Sequence, residues 1–129
     1  MIDGDTIQVS AAGRRETVRL LGIDTPETHP EVGPPECFGP EAAAFTASLL
    51  PPGSEVRLER DIVGRDHYGR LLAHVYRRDD GLLVNEKILR EGYAQPLTIE
   101  PNRAMAERYV AATVAAERDG LGLWQACAG

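Results

Sequence analysis

The chain has 129 residues, of which 43% are hydrophobic, 26% charged and 5% aromatic, with a formal net charge of −6. That suits one globular domain with a core filled mainly by aliphatic side chains, and it excludes a disordered chain. The acidic balance excludes a broad basic face for nucleic acid, but not a local cationic site built around a bound metal.

Asp3-Gly4-Asp5 precedes Thr6-Ile7-Gln8-Val9, whose alternation reads as a strand. Ala11-Ala12-Gly13 turns the chain, and residues 15–21 return, which predicts a hairpin. A strand before Ile2 would be natural, so the pattern predicts an N-terminal strand cut short and an incomplete sheet edge. In the second strand Val18 and Leu20 share one face, and Arg19 and Leu21 the other. Asp24-Thr25-Pro26-Glu27 follows as a tight acidic turn stiffened by Pro26. Residues 28–39 are rich in Pro, Glu and Gly and read as a loop that positions Cys37.

Pro40 and Glu41 open a helix with Ala42, Ala44, Phe45 and Leu49 on its apolar face, and Pro51-Pro52-Gly53 stops it. Residues 55–60 alternate, with Val56 and Leu58 inward. Residues 64–70 form a polar loop, and 71–76 a strand closed by a hairpin turn at Asp79-Asp80-Gly81. A short helix over 83–91 ends at Gly92, and 94–100 are extended or irregular. Met105, Tyr109, Ala112 and Ala116 form one stripe of a last helix, after which Leu121, Leu123 and Trp124 tuck the tail against the body. This order predicts a single α+β domain over 1–129, mainly β: an OB-fold, a five-stranded Greek-key barrel with about three packed helices.

Asp3 and Asp5 stand at the start of the hairpin, and Asp24 and Glu27 at its exit. Antiparallel pairing brings those ends together, so Asp5 and Asp24 approach. Two such carboxylates repel unless a cation sits between them. On these residues alone, solvated turn carboxylates remain the alternative; the twelve-residue spacing of an EF-hand is absent. Arg19 and Arg70 carry planar forks suited to phosphate oxygens, although Arg70 also reads as a solvated charge and Tyr68 as a packing aromatic. The histidines (His29, His67 and His74) make no metal motif. Cys37 and Cys127 are either two unrelated buried thiols or one long-range disulfide. The latter would tie down the C-terminus and imply an oxidising compartment.

Together these pieces resemble the staphylococcal nuclease (thermonuclease) family. The resemblance rests on Ile2-Asp3-Gly4-Asp5-Thr6, Arg19-Leu20-Leu21 with Asp24-Thr25-Pro26-Glu27, and Gly39-Pro40-Glu41-Ala42. It continues through Asp66, Tyr68-Gly69-Arg70, Val84-Asn85-Glu86 and Gly120-Leu121-Gly122-Leu123-Trp124. The matching pieces keep the family's order and span nearly the whole chain. The resemblance implies a calcium-dependent, sugar-nonspecific endonuclease that hydrolyses DNA and RNA to products with 3′-phosphates. It also implies single-stranded or frayed substrates, a monomer and a secreted protein, although no signal peptide is present in the sequence; no apolar run is long enough to span a bilayer, so no membrane is expected.

Carried over by position, Asp5 and Asp24 would ligate calcium, and Thr25 would do so through its carbonyl. Asp3 would stand just outside those ligands. Glu27 would act through water, as general base or as orienter of the attacking water. Arg19 and Arg70 would hold the scissile phosphate, and Tyr68 would hydrogen-bond a phosphate of the nucleotide. His67 stands beside it where the family type has a lysine. Leu97 and Ile99 stand where that type has two tyrosines against the base, which leaves Tyr93 as a candidate replacement. With the acidic charge, these departures predict weaker binding of nucleic acid. The competing expectation is a non-cutting nucleic-acid-binding module of the same fold. Such modules typically lose the acidic or arginine residues that this chain keeps.

Overall fold

The computed structural model describes residues 3–28, 30 and 33–127; Ile2 of the opening motif and His29 lie outside them. The first hairpin forms as its alternation predicts. β1 (Thr6–Ala11) pairs antiparallel with β2 (Arg14–Leu20), with Thr6 opposite Arg19 and Ala11 opposite Arg14. Ala12 and Gly13 make the turn with φ of 53° and 79°, the left-handed pair that a two-residue hairpin needs. Val18 and Leu20 are wholly buried.

The expected strand forms, with the Leu21 N–H still bonded to the Ala73 carbonyl at 3.0 Å, and the chain bends directly after it. Gly22 has a φ of +81°, and a Cβ there would fall inside the ring of Tyr109. Only glycine lets the chain bend while Tyr109 packs against it. β3 (Gly22–Asp24) therefore leaves the first sheet and pairs with β6 (Gln95–Leu97), a strand inside the segment expected to be extended or irregular. β2 also pairs in parallel with β5 (Leu71–Arg77), setting Arg19 opposite Leu72, and β4 (Val56–Glu59) pairs antiparallel with β5. The sheet order is β1-β2-β5-β4, with β3-β6 as a second sheet. Six short strands in two sheets, among the described residues, thus build the partly open OB barrel expected with five.

Four helices accompany the strands among the described residues: α1 (Gly39–Leu49), α2 (Val84–Arg90), α3 (Ala106–Arg118) and the single turn α4 (Leu123–Ala126). Pro40 sits in the first turn of α1 as predicted. Ala42, Thr46 and Leu49 are its buried face, whereas Ala44 is exposed. Thr46 is buried because its hydroxyl donates to the Gly4 carbonyl at 2.7 Å, which joins the helix to the opening turn. The Asp79-Asp80-Gly81 turn leads into α2 instead of a return strand, with only a single bridge from Tyr76 to Leu83. The α3 stripe buries Tyr109, Ala112 and Ala116.

Two internal ties hold the barrel to these helices. The fully buried Asn85 accepts from the Val75 N–H at 2.9 Å and donates to the Leu21 carbonyl at 2.8 Å, so α2 fixes the corner where β2 becomes β3. The Tyr93 ring stacks on Phe45 at 4.1 Å and lies 5.2 Å from Phe38. Tyr93 is therefore part of the packing and is not free to stack on a base.

Candidate active site

The β1–β2 register brings the first site residues together. Asp5, just before β1, is 7% exposed and Arg19 is 8% exposed, so both charged side chains are covered. Asp5 Oδ2 accepts from the Thr25 N–H at 3.0 Å and lies 3.5 Å from Arg19 Nη2. Asp5 Oδ1 accepts from the Thr6 hydroxyl at 3.0 Å. Arg19 Nη1 donates to its neighbour's carbonyl, that of Leu20, at 2.5 Å. The guanidinium is thus aimed by both a charge and a backbone oxygen.

Asp24 sits beside this pair with its tip open to a cleft of about 310 Å³. Its carboxyl is pushed above the usual carboxylate range, first by loss of water around it and next by the Asp5 charge. Arg19 pulls the other way, while Glu36 and Asp3 add to the rise. The Thr25 hydroxyl is buried without a hydrogen-bond partner among the described residues. An over-crowded pair of carboxylates next to an unsatisfied oxygen is a corner that a cation would relieve. Among the described residues no three His, Cys, Asp or Glu side chains converge on one point. A cation here would rest on two carboxylates, a carbonyl and water, an all-oxygen set that fits a hard ion such as calcium.

The remaining predicted residues come from the opening turn, two surface loops and the end of β6. Asp3 accepts from the Thr28 N–H at 2.8 Å, so it anchors the loop after Glu27. Glu27 itself is exposed, and its carboxylate makes no hydrogen bond or ion pair among the described residues. Arg70 immediately precedes β5, two residues before Leu72, the register partner of Arg19. Arg70 Nε donates to Asp66 Oδ2 at 2.8 Å, leaving both Nη groups without a protein acceptor among the described residues. Burial raises the Asp66 carboxyl, but the Arg70 side chain and the Arg70 and Tyr68 amides outweigh it and hold the group below the usual range. Tyr68 is 74% exposed; its ring lies 5.5 Å from the Arg70 guanidinium and 4.0 Å from His67. Leu97 is exposed opposite Gly22, and Ile99 is half-buried.

Cys37 and Cys127 are bonded, with Cα atoms 5.9 Å apart. The bond lines the same cleft as Asp24, Thr25 and Glu36. Sequence reasoning missed Glu36 and Gly39. Glu36 Oε1 accepts from the Glu27 N–H at 2.7 Å, and the Glu27 carbonyl packs on Gly39. Gly39 lay within a recognised motif, whereas Glu36 carries no local signal beyond its place before Cys37.

A family model described as staphylococcal nuclease homologue matches residues 17–126. The thermonuclease of Staphylococcus hyicus is 38% identical over 124 residues, 96% of this chain and 72% of that protein. The thermonuclease of Staphylococcus intermedius is 38% identical over 125 residues, 97% of this chain and 73% of that protein. Endonuclease YncB of Bacillus subtilis is 39% identical over 125 residues, 95% of this chain and 58% of that protein. The barrel, the paired acidic ends of its first hairpin and these likenesses agree: this chain belongs to the staphylococcal nuclease family.

Proposed function

We propose that this chain is a calcium-dependent endonuclease that hydrolyses DNA and RNA and leaves 3′-phosphates. The observation that carries the reading is the corner of Asp5, Arg19, Asp24 and Thr25, in which a covered, phosphate-suited guanidinium adjoins two crowded carboxylates, that of Asp24 open to the cleft. Asp5, Asp24 and the Thr25 carbonyl would hold the ion, with Asp3 outside them bracing the loop. When bound, calcium would supply positive charge to the phosphate oxygens and hold water near them.

The chain's own residues do the rest. Arg19 donates to a non-bridging phosphate oxygen from a covered position, where its charge counts for more than in water. Arg70 offers its two Nη groups to the same phosphate, with Nε held by Asp66. Glu27 takes a proton from the attacking water or orients it, and the water oxygen bonds to phosphorus. The bond to the 5′-oxygen breaks, and that oxygen takes a proton from solvent. The phosphate stays on the 3′ side. Tyr68, exposed beside Arg70, donates to a neighbouring phosphate, and His67 flanks it.

Contacts to phosphates carry no sequence information, which supports action on both DNA and RNA. Single strands and frayed ends fit best, because their backbone is free to bend into the corner. Leu97 gives an aliphatic surface where a ring would stack, so ground-state affinity is low. The disulfide supports a secreted protein, and no described helix is long and apolar enough to cross a membrane. The protein acts as a monomer.

The test is digestion of single-stranded DNA by pure, folded protein with calcium and with a chelator. Calcium-dependent cutting to 3′-phosphate ends is the expected result. Retained binding with no cutting at any calcium concentration would instead establish the non-cutting module.

A further inference from the structure

We propose that Glu36 is a positioning residue for Glu27, and that the Cys37–Cys127 disulfide latches it in place, so that a thiol reductant tunes the site. This rests on the reading of Glu27 as the group that handles the attacking water. Glu36 touches no substrate; it acts through the Glu27 main chain. The Glu27 N–H donates to Glu36 Oε1 at 2.7 Å, and the Glu36 N–H donates back to the Glu27 carbonyl at 2.9 Å. That carbonyl stands 2.5 Å from where a Cβ on Gly39 would be, so residue 39 closes the other side of the clamp. The Gly39 N–H in turn donates to the Glu36 carbonyl at 2.9 Å, which joins the clamp to the start of α1.

The clamp depends on Cys37. Glu36 and Cys37 are both exposed, so no apolar burial holds them. Phe38, next in sequence, sits at a φ of 72°, a left-handed conformation that a residue with a Cβ disfavours. The disulfide resists its relaxation. It ties Cys37 to the residue after α4, whose buried Leu123 donates its N–H to the Gly92 carbonyl at 2.7 Å. Loop and core are thus joined across 90 residues of sequence by one exposed bond. Cys127 is also exposed, and the bond lines the cleft beside Asp24, within reach of a small thiol. A thiolate attacks one sulfur, the other leaves as thiolate, and a second thiol resolves the mixed disulfide. The protein ends with two thiols and the reductant is oxidised to its own disulfide.

The test compares wild type, Glu36→Ala, Glu36→Gln and the Cys37→Ser/Cys127→Ser double variant, with dithiothreitol as the reductant. Kinetics on single-stranded DNA are read together with amide exchange at Glu27 in metal-free protein. Glu36→Ala lowers kcat about five- to tenfold with KM within about twofold, as loss of one hydrogen bond implies. Glu36→Gln keeps the Oε1 acceptor and stays within about twofold of wild type. Reduction and the double serine variant lower kcat to a similar extent, and reduction changes Glu36→Ala less than wild type. The Glu27 amide exchanges about tenfold faster in each weakened form. Unchanged exchange and unchanged kcat in Glu36→Ala, whose disulfide is intact, would overturn the proposal, as would faster exchange with no change in kcat. If wild type does not cut at all, the nuclease reading fails; the exchange rates then decide the clamp alone.

Discussion

The candidate site is made of two halves held in different ways. Asp5, Arg19 and Thr25 belong to the hairpin and its exit, and all are nearly covered. Their geometry is fixed by strand register and by contacts that the fold cannot lose without losing its core. Glu27, Arg70 and Tyr68 lie on loops at the surface, and each takes its orientation from a carboxylate outside the chemistry. Glu36 aims the Glu27 main chain, and Asp66 aims the Arg70 guanidinium. The covered half gains electrostatic strength from low dielectric at a cost in desolvation. The surface half keeps its reacting groups free for substrate, and so depends on single hydrogen bonds for aim.

This contrast breaks most visibly at Arg19. Arg19→Ala strips a nearly buried aspartate of its partner, so kcat falls about 1,000-fold and stability falls by about 3 kcal/mol. Rate assays and urea melts on the same preparation read both losses. Arg70→Ala and Glu27→Gln separate them: each costs about 100- to 1,000-fold in kcat, while stability stays within about 0.5 kcal/mol of wild type. A large stability loss in either would erase the distinction between the halves. Asp66→Ala gives a smaller effect, about tenfold in kcat, because Arg70 remains but its fork is no longer aimed. Restoration of the rate by Asp66→Asn, which keeps an acceptor, would locate the effect in aim instead of charge.

The smallest shift is thermal. Because the folded pKa of Asp24 is raised, the native state holds that proton more tightly than the unfolded chain. The unfavourable charge is absent below the unfolded carboxyl value of about 3.9 and fully present above the folded one. Asp24 alone therefore makes metal-free protein gain stability as pH falls through that window. Asp24→Asn removes the penalty and raises the metal-free Tm at pH 7 by about 1–3 °C, while calcium-dependent cutting is lost. Scanning calorimetry with a chelator, at pH 7 and near pH 4, checks the sign.

Much of the site was legible because it follows from residue type and nearby spacing. Antiparallel pairing brings the two ends of a hairpin together, so the approach of Asp5 and Asp24 beside Arg19 could be read from the chain, while their roles came with the family resemblance. The long-range Cys37–Cys127 bond was an open alternative that the structure settles. Packing decided what sequence left wrong or silent. Tyr93 looked free for a base, yet Phe38 and Phe45, remote in sequence, enclose it. The bend at Gly22, on which the sequence was silent, follows the expected strand because Tyr109, on α3, occupies the space beside it. Glu36 carries no periodic or motif signal; its role exists only because the loop folds back on Glu27.

The sequence by itself determined the class of fold, the acidic corner and its arginine, since alternation and turn chemistry act over a few residues. Tertiary structure alone decided how deeply Arg19 is covered, where the barrel curls at Gly22 and which side chain clamps Glu27. Those outcomes depend on atoms far apart in the chain competing for the same space and the same hydrogen bonds, and no local pattern encodes that competition.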